Sequence, residues 1–155
     1  MKSRTFVSIL ILVFSILIVL GSCATQKKTI TEGDFLDAWT GTWVNTDIPG
    51  GIVIPQKFIN HPDGTIDYYP SAVSSNVPFI IEFTLFERWA DADGNTWFKA
   101  QKKWENDDAK IMVHEYVKIN RSGDTYELIY NVGSQQVDDW EPDNPEYNYL
   151  IYYRQ

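Results

Sequence analysis

The sequence predicts an all-β fold: an eight-stranded antiparallel up-and-down barrel behind a short N-terminal helix. Three observations lead to this. From Thr42 onward, eight runs rich in β-branched and aromatic residues alternate with turn signals. Most links between runs are short, which makes sequence neighbours antiparallel. The 155-residue chain also carries 6 Trp and 9 Tyr, all beyond residue 22, too many large rings for a disordered acidic segment. Eight such strands suit closure into a barrel, which removes exposed edges. A two-sheet sandwich is the alternative.

Each element has a local reason. Thr31 is an acceptable N-cap, Glu32 and Asp34 complement the first turn of a helix, and Phe35, Leu36 and Trp39 fall on one face before Gly41. Strands are expected at Thr42–Asn45, Ile52–Asn60, Thr65–Tyr69, Val77–Trp89, Thr96–Glu105, Lys110–Ile119, Thr125–Val132 and Tyr147–Arg154. Pro55 marks an edge or bulge. His61-Pro62-Asp63-Gly64, Asp91–Asn95 and Arg121-Ser122-Gly123-Asp124 are hairpin turns with glycine available for positive φ. Period-2 alternation puts Val77, Phe79, Ile81, Phe83 and Leu85 on one side. The same alternation aligns Ile111, Val113, Glu115, Val117 and Ile119, then Tyr126, Leu128, Tyr130 and Val132, then Tyr147, Tyr149, Ile151 and Tyr153.

Residues 1–22 read as a processing signal. Lys2 and Arg4 precede an apolar run from Phe6 to Leu20, broken only by Ser8 and Ser15. A bilayer span needs about 20 apolar residues, so this run suits the core of a secretory signal. Leu20-Gly21-Ser22-Cys23 follows and resembles the lipobox of bacterial lipoproteins. That resemblance implies cleavage before Cys23, lipidation of its thiol and a lipid anchor in the cell envelope. By resemblance to sorted lipoproteins of double-membrane bacteria, Ala24 in the next position, where an Asp is absent, favours the outer membrane over the inner. An uncleaved signal anchor is the alternative. Residues 23–31 are then the lipidated cysteine and a polar tether, and 32–155 the barrel domain.

Charge narrows the partners. The chain has 13 basic and 21 acidic residues; beyond residue 22, 11 basic residues face 21 acidic ones, a net −10. Such a surface repels phosphate backbones, so nucleic acid is not expected as a partner. A single cysteine excludes an intrachain disulfide and a Cys-based zinc site.

Trp39-Thr40-Gly41-Thr42-Trp43 places a helical segment before Gly-x-Trp. This resembles the start of the lipocalin and wider calycin barrels. The resemblance implies that Trp43 plugs the closed end, with Arg154 of the last strand over its indole. It also implies a barrel cavity for a small hydrophobic or amphipathic molecule. Asn45, Phe79, Ile81, Phe83, Tyr126 and Tyr149 are its expected wall and Glu115 its polar anchor. Gly41-Thr42-Trp43-Val44-Asn45 also resembles the opening of avidin-type biotin binders, in which the Asn faces the ligand.

Catalysis has little to stand on. Gly-x-Ser-x-Gly is absent, and neither His61 nor His114 has metal-ligand spacing. His114 is opposite in strand parity to Glu115, so the two do not face one site. Asp91-Ala92-Asp93-Gly94-Asn95 lacks the ligand series of a calcium loop. The acidic run Asp138, Asp139, Glu141, Asp143 and Glu146 reads as a solvated loop or a cation site. No metal or cofactor is expected. Three classes remain: a small-molecule binder, a structural or interaction lipoprotein with a filled barrel, and an enzyme built in the cavity. A cavity of about 300 Å³ or more favours the first; a filled interior favours the second.

Overall fold

A computed structural model describes residues 27–51, 54–73, 79–105 and 110–155, with residues 79, 80, 104, 105 and 110 described through the backbone alone. The leader with Cys23, and the side chain of Phe79, lie outside the described residues.

The order of elements is β1 (Lys28–Thr29), α1 (Glu32–Trp39), β2 (Gly41–Val44), β3 (Lys57–Asn60), β4 (Ile66–Tyr69), β5 (Phe79–Ala90), β6 (Thr96–Glu105), β7 (Lys110–Ile119), β8 (Thr125–Val132) and β9 (Asn148–Arg154). Each strand from β2 to β8 pairs antiparallel with its successor. β9 returns to β2 through Trp43↔Arg154 and Val44↔Tyr153. The sheet is thus a closed eight-stranded up-and-down barrel, and the sandwich alternative falls.

Helix α1 forms because its first turn is capped from both sides. The Thr31 hydroxyl accepts from the Asp34 N–H at 3.1 Å, and the Asp34 carboxylate accepts from the Thr31 N–H at 3.3 Å. The buried face of α1, Phe35 and Trp39, covers one end of the barrel. Phe35 meets Phe98 edge-on at 5.2 Å, and Trp39 stacks on Phe83 at 5.1 Å. Three barrel side chains then satisfy the last carbonyls of the helix. The Trp43 indole and the Asn60 amide donate to Trp39 O, and the Arg154 guanidinium donates to Ala38 O. Strands β2, β3 and β9 therefore hold the helix by its C-terminus.

Three expectations need correction. Residues 28–29 are not free tether: they pair with Ala90 and Trp89 at the end of β5. The run expected over Ile52–Asn60 is a strand only from Lys57 among its described residues, because Pro55 supplies no N–H and ladder pairing starts at Lys57; residues 52 and 53 lie outside the described ones. The parity of β9 is reversed. Tyr126 faces Tyr152 and Leu128 faces Leu150 across β8 and β9, so Leu150 and Tyr152 share the inner face. Tyr149 and Tyr153 point outward and are exposed. The run Tyr149–Tyr153 is apolar at both parities, so alternation alone does not choose a face.

A β-bulge between Leu85 and Glu87 changes the parity of β5. Ile81, Phe83 and Leu85 contribute to the inner core. Beyond the bulge, Glu87 and Trp89 take the outer face with their partners Lys99 and Trp97.

Candidate functional site

The barrel interior is built from aromatic rings around one ion pair. Lys102 of β6 reaches Glu115 of β7, Nζ to Oε2 at 2.9 Å, with side-chain exposures of 2% and 1%. Tyr126 donates its hydroxyl to the other carboxylate oxygen at 3.3 Å. The Lys102 ammonium also lies 5.0 Å from the Phe58 ring centre and 5.6 Å from that of Tyr68. Phe58 packs edge-to-face with Tyr126 at 5.1 Å and with Tyr152 at 4.9 Å. Burial pushes the phenols of Tyr68, Tyr126 and Tyr152 well up, and the nearby Glu115 charge adds to the effect. The space left among these groups is a cavity of about 10 Å³. That is room for one water at most.

The expected ligand wall is therefore core. Ile81 and Tyr126 are buried in it, and Phe83 packs against Trp39 and Phe98. Glu115 is not an open anchor, since Lys102 and Tyr126 occupy its two oxygens. Tyr149 is no wall residue: it is 37% exposed and donates to Glu127 on the outside at 2.9 Å. Asn45 donates to Ile151 O and accepts from the Asp47 N–H, so its amide is taken up across the seam between β2 and β9. Sequence reasoning missed Lys102. Its signal is parity: Lys102 lies at even spacing from Phe98 and Ala100 on β6, which places it inside.

The closed end has the geometry expected of Trp43 and Arg154. The guanidinium carbon stands 4.7 Å from the Trp43 ring centre. Gly41 beside it is required by its backbone: its φ is +144°, and a Cβ there would touch an Arg154 nitrogen at 3.4 Å.

A second set of side chains lies outside the barrel. Trp89 and Trp97 are cross-strand partners and stack at 6.3 Å with an interplanar angle of 4°. Tyr116, Trp140 and the buried Val137 extend this cluster beneath the loop between β8 and β9. The Asp91 turn serves it as well, because the Asp91 carboxylate accepts from the Trp97 indole at 2.8 Å. Among the described residues, no group of three or more His, Cys, Asp or Glu side chains is arranged to hold a metal.

Beside this cluster lies a pocket of about 380 Å³. Phe86 and Glu87 at the bulge, Lys99, His114, and Val137 and Asp138 of the loop line it. His114 is 5% exposed, and neither ring nitrogen has a hydrogen-bond partner. Its ring stacks on Phe86 at 6.2 Å and 17°. The sequence gives His114 outward parity, but the covering loop and the bulge that make the pocket are tertiary.

The chain matches no family model, no curated protein and no solved structure.

Proposed function

We propose that this protein is a lipid-anchored barrel of the bacterial cell envelope, lipocalin-like in layout, that works from its outer surface. The observation that carries this reading is the interior filled by the described residues: about 10 Å³ is left beside a buried Lys102–Glu115 pair. A ligand pocket of ordinary size is about 300–1,000 Å³. The interior thus serves as a structural core, and the reading moves from a cavity binder to an interaction lipoprotein. Among the described residues the inward Glu115 carboxylate is occupied by Lys102 and Tyr126, which favours a binding role over catalysis. The Leu20–Cys23 motif after an apolar run supports lipidation, and Gly41-x-Trp43 with Arg154 supports the lipocalin-like layout.

Two measurements test it. The full chain made in a bacterial host should partition into detergent and carry acyl chains at Cys23, and Cys23→Ala should abolish both. Normal processing and lipid modification of Cys23→Ala would defeat the anchor. Hydrophobic and aromatic fluorescent probes should leave the interior untouched. Saturable probe binding that is lost in Tyr126→Trp, a substitution inside the core, would restore the cavity reading.

A further inference from the structure

We propose that the outer pocket at Phe86 and His114 binds a small organic ammonium ion, a protonated amine on an apolar body. The inference rests on the reading that the outer surface is the working face.

The pocket has the size for a small ligand, about 380 Å³. His114 gives it an unmet requirement. A neutral imidazole carries one donor and one acceptor, and in this ring both nitrogens are buried without partners. Leaving such groups unpaired is costly, and a turn of the ring that brings its acceptor nitrogen to a ligand N–H recovers part of that cost. Phe86 adds a ring face beside it, half exposed at 50%. Glu87 and Asp138 add two carboxylates to the lining. The one lysine of the lining is already engaged: Lys99 donates to Asp138 O and lies 4.8 Å from the Tyr116 ring centre. Lys27 screens Glu87 from outside the lining at 3.4 Å, and Asp138 leaves the pocket unfavourable to an anion.

The same face shows how it holds ammonium groups. Lys27 lies 3.9 Å from the Trp89 ring centre and pairs with Glu87 at 3.4 Å. Lys118 lies 5.9 Å from the Trp97 ring centre and pairs with Glu127 at 3.2 Å. A ring and a carboxylate together seat a cation in both cases. Phe86 offers a further ring beside Glu87, whose carboxylate a ligand would share with Lys27, and among the described contacts no cation of the chain sits over Phe86. The net charge of −10 beyond residue 22 also draws cations toward the surface.

The test uses the full chain in non-ionic detergent with histidine rings labelled for NMR. The sequence has two histidines, so His61→Gln assigns the His114 signals. Benzylammonium and butylammonium are titrated at mildly alkaline pH, with acetate as the anionic arm and N-acetyl-lysine amide as the protein side-chain arm. The His114 ring signals should shift saturably with a Kd in the millimolar range or tighter, while His61 stays put. Glu87→Gln and Phe86→Ala, both surface changes, should each weaken binding about 3- to 30-fold. Flat His114 signals up to about 20 mM of either amine would overturn the proposal, being weaker than any useful site. So would an equal response to acetate, a response to the lysine amide alone, or unchanged binding in both variants. Lipidation does not enter this readout, so failure of the anchor and failure of the site are told apart.

Discussion

Lys102 and Glu115 form an ion pair at 2.9 Å inside a closed barrel, each almost wholly removed from solvent. Desolvating two charges is expensive, so such a pair is weak grounds for stability, yet breaking it strands a charge. It also fills the volume where a ligand would otherwise sit.

Lys102→Met or Glu115→Leu alone should lower stability by about 3–5 kcal/mol, because each leaves its partner buried and unpaired. The double variant should recover most of the loss, since the neighbours Phe58, Tyr68 and Tyr126 are apolar in body. Denaturant titrations of the three variants decide it. Additive losses in the double variant would mean that the two charges act independently.

The closed end depends on Gly41 and Arg154 together. Gly41→Ala places a side chain at φ +144° against the guanidinium and should cost about 1–3 kcal/mol. Arg154→Ala removes the contact over Trp43 and the donor to Ala38 O, and should cost a similar amount, about 1–3 kcal/mol. The double variant should fall short of the sum, because both changes disturb one contact. Full additivity in thermal melts would contradict this account.

Asp91 predicts an acid-side response. Burial pushes its carboxyl up, but the Trp97 indole and the Asn95 and Asp93 donors outweigh burial and hold it below the ordinary value of 3.8. Its folded value is the lower one. The stability it contributes is therefore present above the unfolded value and is lost as pH falls through the folded one. Asp91→Asn should lower the melting temperature by about 2–5 °C at neutral pH. The difference should shrink below the ordinary carboxylate range. A difference that is constant down to full protonation would show that the charge is irrelevant.

The tyrosines predict the alkaline side. Tyr68, Tyr126 and Tyr152 are pushed well above the ordinary value of 10.0; burial lifts Tyr116 to about 12, and partial burial with the bond to Glu127 lifts Tyr149 to about 12. Their folded values are the higher ones. Stability is therefore kept below the unfolded value and lost as pH rises above it toward the folded values. Tyrosinate absorbance should show the inner three phenols ionising only as near-ultraviolet circular dichroism collapses. All 9 phenols titrating reversibly in one step with that signal intact would refute their burial.

Local chemistry alone was enough for much of this molecule. Thr31 with Asp34 specifies a helix start, Asp91–Asn95 and Arg121–Asp124 specify hairpins, and short links make neighbours antiparallel. The strands β6, β7 and β8 have the bounds that their patterns predict. The Trp43–Arg154 contact was also legible, and it sets the facing of β9. An Arg154 that reaches inward over Trp43 puts Tyr152 and Leu150, two and four residues earlier, on the inner face as well. Period-2 reading failed at β9 because both parities are apolar, and it failed beyond Leu85 because one bulge residue shifts every side chain after it. Only tertiary structure decided what the interior is for. Whether a ring of aromatics encloses a cavity or a core depends on how side chains from different strands interdigitate, and no single strand records that. Lys102 and Glu115 lie on neighbouring strands, and whether they meet depends on register and on the volume left between Phe58, Tyr68 and Tyr126. The His114 pocket has the same origin, since the β5 bulge and the loop after β8 converge on it from distant parts of the chain.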